Sequence, residues 1–298
     1  MITLENQQLR LLVDPAQGVN IINFSVRQRN AWLPVMPDAR NVDLGLKASS
    51  FVVVPYSNRI ENGRFTFNGQ PYQLANGERH ASHGDVRTRP WRVDEVSDQA
   101  IACSFDSRDH TGVNWPWPFA AQLTYTLQAL TLSTRLTLWN RGDSMMPAGL
   151  GWHPYYSRWL TQPGEPVHLN VKVAGVYPDA NDNRIPSGPA QAIAPHQDFA
   201  MARALTPENF IDACFYGYDG NGWFAWPQSG VKVTYRCSAN CTHLVLFNPA
   251  KPYFAVEPVT NANNGVNLYA AGDPTSGIHP LAPGERLQAT FDAVLELD

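Results

Sequence analysis

Apolar and polar residues alternate with a period of two along several stretches of the chain. The alternation is clearest at residues 131–138, 167–173 and 289–297. In the last stretch the apolar positions are Ala289, Phe291, Ala293, Leu295 and Leu297, and polar positions between them are Thr290, Asp292 and Glu296. Successive side chains of a strand point to opposite faces, so this period predicts strands with one buried and one wet side.

Turn and helix signals are unequal in strength. Asn68 and Gly69 separate two strand-like runs and tolerate the positive φ angles of a tight turn, which predicts a β-hairpin. Helix signals are scarce. Thr206 as a cap, with Pro207 in the first turn, predicts one short helix over Glu208–Cys214.

Prolines and glycines interrupt the strand-like segments throughout the sequence. The chain holds 24 prolines and 21 glycines among 298 residues. Many short strands with such breaks favour an all-β sandwich or barrel over a parallel α/β fold. We see no internal repeat and no linker, so we expect a single β-sandwich domain over residues 1–298, enlarged by loops or extra strands.

The composition excludes several classes of protein. Charged residues make up only 16% of the chain, which argues against a disordered protein or a coiled coil, and the net charge of −4 argues against a nucleic-acid binder. The N-terminus lacks the pattern of a secretory signal and no 18-residue apolar run exists, so we expect a cytoplasmic protein without a membrane span. The cysteine spacing favours free thiols over a metal site; the four are Cys103, Cys214, Cys237 and Cys241.

Two titratable residues stand out because each follows an apolar run and precedes a proline. They are His153, before Pro154, and Glu257, before Pro258. We expect each proline to end its strand and so place both side chains at strand exits. Taken singly, one is equally consistent with a core histidine and the other with a structural salt bridge. Together they are the residue types best suited to paired proton transfer.

Polar residues in the first third of the chain are further candidates. Asn58 and Arg59 precede the predicted hairpin, and His83 precedes Gly84. In isolation, Arg59 has the features of a solvated surface arginine and His83 those of an ordinary loop histidine.

The ordered set of motifs resembles the aldose 1-epimerases, also called galactose mutarotases. The resemblance runs from about Asn58 to Asn264 and covers most of the chain. The motifs are Asn58-Arg59-Ile60 with Gly63 and Phe65, His83-Gly84, His153-Pro154-Tyr155, Phe210-Ile211-Asp212-Ala213-Cys214-Phe215, and Glu257-Pro258. The resemblance implies a large antiparallel β-sandwich that holds a small sugar in an open cleft, without metal, nucleotide or other cofactor.

By the same resemblance, His153 is the general acid at the sugar's ring oxygen and Glu257 is the general base at the anomeric hydroxyl. We expect these two side chains to face each other across a cleft, with room for a pyranose ring between them.

Substrate-binding roles are also implied by the resemblance. His83 would hydrogen-bond near the ring oxygen, while Arg59 and Asp212 would fix sugar hydroxyls. Asn58 is a further candidate for the same task.

Two departures from the common family pattern leave the substrate open. Asp85-Val86-Arg87 follows Gly84, and Asn261-Ala262-Asn263-Asn264-Gly265 follows the glutamate motif. Arg87 and Arg89 would favour an anionic sugar, such as a phosphorylated or sulfonated hexose, unless they are solvated loop arginines. A non-catalytic carbohydrate-binding protein is the alternative from another class, although binding alone does not require a matched acid and base.

Overall fold

The computed structural model describes residues 1–75, 77 and 80–298 of the chain, mostly as β-strands. The strands are β1 Ile2–Glu5, β2 Leu9–Asp14, β3 Asn20–Gln28, β4 Ala31–Met36, β5 Ser50–Val53, β6 Arg59–Ile60, β7 Arg64–Phe67, β8 Gln70–Gln73, β9 Ala81–Ser82, β10 Arg92–Val96, β11 Ala100–Asp106, β12 Phe119–Gln128, β13 Thr131–Asn140, β14 Met146–Ala148, β15 Gly151–Ser157, β16 His168–Val171, β17 Gly175–Val176, β18 Arg203–Ala204, β19 Ile211–Tyr216, β20 Asn221–Trp226, β21 Val231–Cys237, β22 His243–Asn248, β23 Tyr253–Val259, β24 His279–Leu281 and β25 Arg286–Leu297. The helix α1 spans Gly265–Ala270. No helix in the described part of the chain is long and apolar enough to cross a membrane.

Two large antiparallel sheets form the two layers of the molecule. The first sheet has the order β1-β2-β3-β5-β15-β23-β22-β19-β17, with β4 paired to β3, and the second has the order β10-β11-β12-β13-β25-β21-β20-β16-β18. The predicted antiparallel β-sandwich is therefore confirmed.

Large aromatic side chains fill the space between the two sheets. Trp152 of the first sheet meets Tyr235 of the second edge-on, and Tyr156 packs against Phe224 with ring centroids 4.4 Å apart. The two tyrosine hydroxyls also share a hydrogen bond, so the polar ends of these buried rings are satisfied. The main core thus lies between the layers, and a smaller buried apolar cluster that includes Phe51, Tyr177 and Val245 lies on the outer face of the first sheet.

The strands predicted from alternation are confirmed. The three stretches correspond to β13, β16 and β25, which lie in the second sheet. The predicted hairpin is also present, since β7 and β8 pair around Asn68 and Gly69, whose φ angles are 49° and 77°.

The predicted helix over Glu208–Cys214 is wrong. Ile211–Tyr216 forms β19, which pairs with β22 on one side and β17 on the other. The cap signal from Thr206 and Pro207 is local, whereas two neighbouring strands supply partners for the backbone of this segment. Sheet pairing therefore overrides a weak helix preference.

Candidate active site

His153 and Glu257 lie directly opposite each other on neighbouring strands of the first sheet. In the antiparallel register of β15 and β23, Tyr155 is opposite Ala255. Two residues further along each strand, the same register places His153 opposite Glu257. Residues opposite each other in such a pair have their side chains on one face and within reach. Accordingly, His153 Nε2 is 3.2 Å from Glu257 Oε1, and the two residues are only 6% and 3% exposed.

The expected gap between these two side chains is therefore absent. The sheet register fixes a contact of hydrogen-bond length, so a pyranose ring does not fit between His153 and Glu257. A ligand that met both side chains would have to lie over the pair, on the outer face of the sheet.

The expectation that proline ends each strand is also wrong. Pro154 lies inside β15 and Pro258 lies inside β23, so His153 and Glu257 are mid-strand residues. A proline removes one backbone donor from the ladder, and the remaining pairing of a long strand holds the register across it. Trp152 points into the core, and the strand's period of two turns His153 to the outer face.

Apolar side chains flank the pair along the same row of the sheet. Phe51 of β5 is opposite His153, with ring centroids 4.4 Å apart, and Val245 of β22 is opposite Glu257. The row therefore runs Val245, Glu257, His153, Phe51 across four adjacent strands. These apolar neighbours keep water from reaching the pair along the row of strands. A ligand would therefore approach the pair from the outer side of the sheet.

His83 reaches the same site from a loop. Its ring lies 5.2 Å from that of His153, edge to face. Asn58 holds it through the backbone, because the Asn58 N–H donates to His83 Nδ1 at 3.3 Å and the His83 N–H donates to the Asn58 carbonyl at 2.8 Å. This supporting role of the Asn58 backbone differs from the sugar contact that the sequence suggests.

Gly84 allows the His83 loop to approach the first sheet. Its φ angle is +65°, and a Cβ at this position would lie 1.8 Å from the Val54 carbonyl oxygen. Only glycine combines that conformation with that contact. Arg59 is brought beside the loop by the pairing of β6 with β9, in which Arg59 is opposite Ser82.

Asp212 lies on the same face of the first sheet, and it has a partner of its own. Arg184 Nε binds Asp212 Oδ2, and the same guanidinium binds Asp179 and Asp182. The carboxylate therefore meets a ligand as one member of an ion-pair cluster and not as a free acceptor.

A cavity of about 280 Å³ adjoins this cluster. Asp212, Arg184 and Cys214 line it, as does Asn263, whose side-chain oxygen is buried without a hydrogen-bond partner in the described structure. The cavity offers carboxylate, guanidinium and amide groups to a hydroxyl-rich ligand.

Burial moves the pKa values of the central pair in opposite directions. Burial, followed by the nearby charge of Arg87, lowers the pKa of His153 to about 3. Burial, followed by the charge of Asp212, raises the pKa of Glu257 well above its usual 4.5. Both shifts disfavour the charged form of the side chain. Because the two side chains are in contact, they can share one proton between them.

The two arginines after His83 differ in their surroundings. Arg89 is ion-paired with Asp85 at 2.6 Å and donates to the carbonyls of Thr111 and Gly112, so it holds the loop together. Arg87 lies over the Phe51 ring, with 5.1 Å from its guanidinium carbon to the ring centroid. The solvated-loop interpretation therefore fits neither residue.

A family model described as aldose 1-epimerase matches residues 1–293. The chain belongs to the aldose 1-epimerase family. The relatives found include the uncharacterized protein YphB of Escherichia coli (strain K12), which is 26% identical over 264 residues and covers 85% of each chain. The family suggested by the sequence motifs is thus confirmed.

Solved structures share the fold of this aldose 1-epimerase family member. One is a putative aldose 1-epimerase from Escherichia coli K12, with a TM-score of 0.84, 23% identity, and coverage of 99% of this chain and 98% of that chain. Another is a galactose mutarotase-like protein from Clostridium acetobutylicum, with a TM-score of 0.82, 17% identity, and coverage of 99% and 95%. At these identities the likeness concerns the fold.

The structure brings five of the six predicted site residues together around one face, with Asn58 contributing its backbone. It also adds Arg184 and Phe51, which sequence reasoning missed. Phe51 lies in a short apolar run and carries no chemical signal of its own. Arg184 belongs to an irregular segment 28 residues before Asp212, and nothing in the sequence joins the two.

Proposed function

We propose that this protein is an aldose 1-epimerase that interconverts the α and β anomers of a hexose, with His153 as general acid and Glu257 as general base. The observation that carries the proposal is the buried contact of 3.2 Å between an imidazole and a carboxylate on the outer face of the first sheet. An acid and a base one hydrogen bond apart match the two oxygens attached to one anomeric carbon.

The proposed reaction is a pair of proton transfers. Glu257 accepts the proton of the anomeric hydroxyl, and His153 Nε2 donates a proton to the ring oxygen. The bond from C1 to the ring oxygen breaks while the C1 carbonyl forms. Rotation about the C1–C2 bond presents the other face of the aldehyde, and reversal of both transfers closes the ring as the other anomer.

The pair needs one proton to perform this cycle. The pKa of His153 is lowered and the pKa of Glu257 is raised, so both shifts favour the uncharged pair, in which the shared proton rests on Glu257. The reactive form arises when that proton crosses the 3.2 Å contact to His153 and leaves Glu257 as a carboxylate. Each turnover returns the proton to the pair, so the chemistry requires no redox step and no external acceptor.

Three neighbours are proposed to position the sugar. His83 lies beside the acid and would contact the ring oxygen or its neighbour. Arg59, on the same loop side, and Asp212, on the far side of Glu257, would bind hydroxyls. Contacts made equally in the ground and transition states raise KM more than they lower kcat.

Replacing the base tests the proposal. We expect Glu257→Gln to keep the fold and lower the rate of α-to-β equilibration about 10²- to 10⁴-fold, because an amide of the same size cannot accept the proton. The rate is measured by proton NMR on glucose and galactose, after subtraction of the uncatalysed rate.

A buried glutamate elsewhere provides the matched control. Glu165 is also 3% exposed, and its carboxylate accepts hydrogen bonds from Ser229. Folded Glu165→Gln should equilibrate the sugar as the wild type does. A well-folded Glu257→Gln that is as fast as the wild type would show that Glu257 is not the base.

A further inference from the structure

Two hydrogen bonds join His83 to the backbone of Asn58. The Asn58 N–H donates to His83 Nδ1 at 3.3 Å, and the His83 N–H donates to the Asn58 carbonyl at 2.8 Å. A backbone N–H is always a donor, so the ring nitrogen that it meets has to be an acceptor. His83 Nδ1 therefore carries no hydrogen in this contact.

The other ring nitrogen of His83, Nε2, is consequently the donor. A neutral imidazole holds one hydrogen on one of its two nitrogens, and the hydrogen bond at one nitrogen decides which of them it is. The ring lies beside those of His153 and Phe51, with centroids 5.2 Å and 5.6 Å away. Because Nδ1 is bound to the loop backbone, Nε2–H is the group that a ligand in this place would meet.

The surroundings of His83 also keep its ring neutral. A second proton would go onto Nδ1 and would break the contact with the Asn58 N–H. It would also add a positive charge near His153, Arg87 and Arg59. Burial, followed by these three groups in that order, lowers the pKa of His83 well below 6.5. The ring is therefore a neutral donor at neutral pH.

His153 has the opposite arrangement of its ring nitrogens. Its Nε2 is 3.2 Å from Glu257 Oε1, and in the uncharged pair the carboxyl group carries the shared proton. Nε2 then accepts from that carboxyl group, so the hydrogen of the neutral imidazole is on Nδ1. His153 Nδ1 has no hydrogen-bond partner among the residues that the structure describes. The two neighbouring rings thus carry their hydrogen on different nitrogens.

We propose that Asn58 is a positioning residue that fixes the tautomer of His83, and that His83 donates Nε2–H to the sugar while His153 alone moves a proton. The tautomer rests on the contacts of the loop, whereas the contact with the sugar rests on the proposed epimerase function. A ring held as a donor recognises only an acceptor, and a sugar offers its ring oxygen and hydroxyl oxygens. The two histidines thus divide hydrogen bonding and proton transfer between them.

The backbone conformation of Asn58 accounts for the residue type at this position. Its φ angle is 56°, in the left-handed region. Asparagine adopts this region more readily than most residues, whereas a β-branched residue is strained there. Only backbone atoms of Asn58 take part in the two hydrogen bonds. Glycine should therefore preserve these hydrogen bonds, and valine should disturb them.

The first test is spectroscopic and needs no substrate. Two-bond 1H–15N NMR correlation spectra of the 15N-labelled wild type identify the tautomer of each histidine, and His83→Gln and His153→Asn assign the two signals. We expect Nε2–H for His83 and Nδ1–H for His153, both unchanged from about pH 5.5 to 8.5. The proposal is overturned if His83 carries its hydrogen on Nδ1, if it titrates near pH 6.5, or if the two rings share one tautomer.

The second test compares Asn58→Gly and Asn58→Val with the control Asn68→Val. Asn68 has a similar φ angle of 49° in the hairpin of β7 and β8, so the control strains the same kind of backbone away from the site. Asn58→Val should lose the Nε2–H tautomer of His83 and lower kcat/KM for glucose about 5- to 100-fold, mainly through KM, because one hydrogen bond to the sugar is lost. Asn58→Gly should keep the tautomer and more of the activity, and Asn68→Val should match the wild type in both measurements.

Replacement of His83 itself separates the two ring nitrogens. The amide nitrogen of glutamine reaches about as far as Nε2 and that of asparagine about as far as Nδ1, so His83→Gln should retain more activity than His83→Asn. This pair and the wild-type spectra decide the proposal if Asn58→Val does not fold.

One kinetic outcome overturns the positioning role of Asn58. If Asn58→Gly loses as much activity as Asn58→Val while His83 keeps its tautomer, the Asn58 side chain itself binds the sugar. If the wild type equilibrates no sugar, the epimerase proposal fails, and the spectra decide the tautomer of His83 separately.

Discussion

In the proposed reaction, the His153 imidazole and the Glu257 carboxylate would act as one unit in proton transfer, because they are in contact and both are buried. An exposed imidazole changes charge near pH 6.5 and would lose its acid form just above that value. In the contact pair, a second proton is taken up only near the lowered pKa of His153, and the last proton leaves only above the raised pKa of Glu257. The pair therefore keeps its working proton over a wide range of pH.

This arrangement predicts the pH profile of catalysis. We expect kcat/KM for a neutral hexose to stay flat through pH 6.5, to fall on the acid side towards about pH 3, and to fall on the alkaline side above the usual range of a carboxyl group. Initial rates of anomer exchange from about pH 2.5 to 9.5, corrected for buffer catalysis, measure the profile. A limb centred at pH 6.5 would contradict a shared proton.

The kinds of residue at the site were predictable from the sequence, whereas their spacing was not. A histidine and a glutamate after apolar runs are visible as a pattern, but the 3.2 Å contact follows from strand pairing between residues about 100 positions apart. Asp212 shows the same limit. Its ion pair with Arg184 joins a strand to an irregular segment that has no periodicity.

The loop that carries His83 depends on one glycine for its approach to β5. Gly84 has a left-handed backbone and no room for a side chain against Val54, so the loop and the sheet are in direct backbone contact. Movement of this contact would shift His83 away from His153.

Gly84→Ala should therefore lower both stability and activity. We expect a loss of about 2–4 kcal/mol in the free energy of unfolding, from backbone strain and overpacking together, and slower anomer exchange through displacement of His83. Urea unfolding and NMR exchange rates measure the two effects.

Gly45→Ala is the matched control for this change. Gly45 has nearly the same φ angle, +66°, with no atom within 4 Å of a Cβ. It should cost only the backbone strain of about 1 kcal/mol and leave the exchange rate unchanged. Equal losses for both variants would mean that the contact with Val54 does not hold the loop.

Strands of the second sheet were easier to predict than those of the first. The long alternating segments β13 and β25 have one side in the core and one in solvent, so the period of two is plain. The central strands β15 and β23 are buried on both faces, and β19 is nearly so. Their sequences lack an alternation of apolar and polar residues. The prolines and the helix-cap signal were therefore the only local signals there, and the strand ends and the helix predicted from them are wrong.

The first sheet also holds buried histidines that tie the stability of the whole protein to pH. His243 is fully buried, with Nδ1 at 3.0 Å from the Thr242 hydroxyl and Nε2 at 2.9 Å from the Thr275 carbonyl. Burial lowers its pKa to about 4. The unfolded chain takes up a proton near pH 6.5 and the folded one does not, so this contribution is present above pH 6.5 and is lost as pH falls to 4.

His243→Gln should weaken this dependence on pH. The shift from 6.5 to about 4 corresponds to about 3 kcal/mol at most, so the wild type should lose up to that much more than the variant between pH 7 and 4. Urea unfolding at several pH values measures the difference. The exposed His196, replaced by glutamine, controls for removal of a histidine, and parallel curves for wild type and His243→Gln would contradict the assignment.

The two classes of residue at the site have different origins in the chain. His153 and Glu257 come from neighbouring strands, and their distance is fixed by the hydrogen-bond ladder of the sheet. Arg59, His83 and Arg87 come from the segment between β5 and β10. Under the proposed function, insertions or exchanges in that segment would change the contacts to the sugar without altering the distance between His153 and Glu257. A library of variants confined to that segment would test whether the sugar that is recognised can change while the proposed reaction is kept.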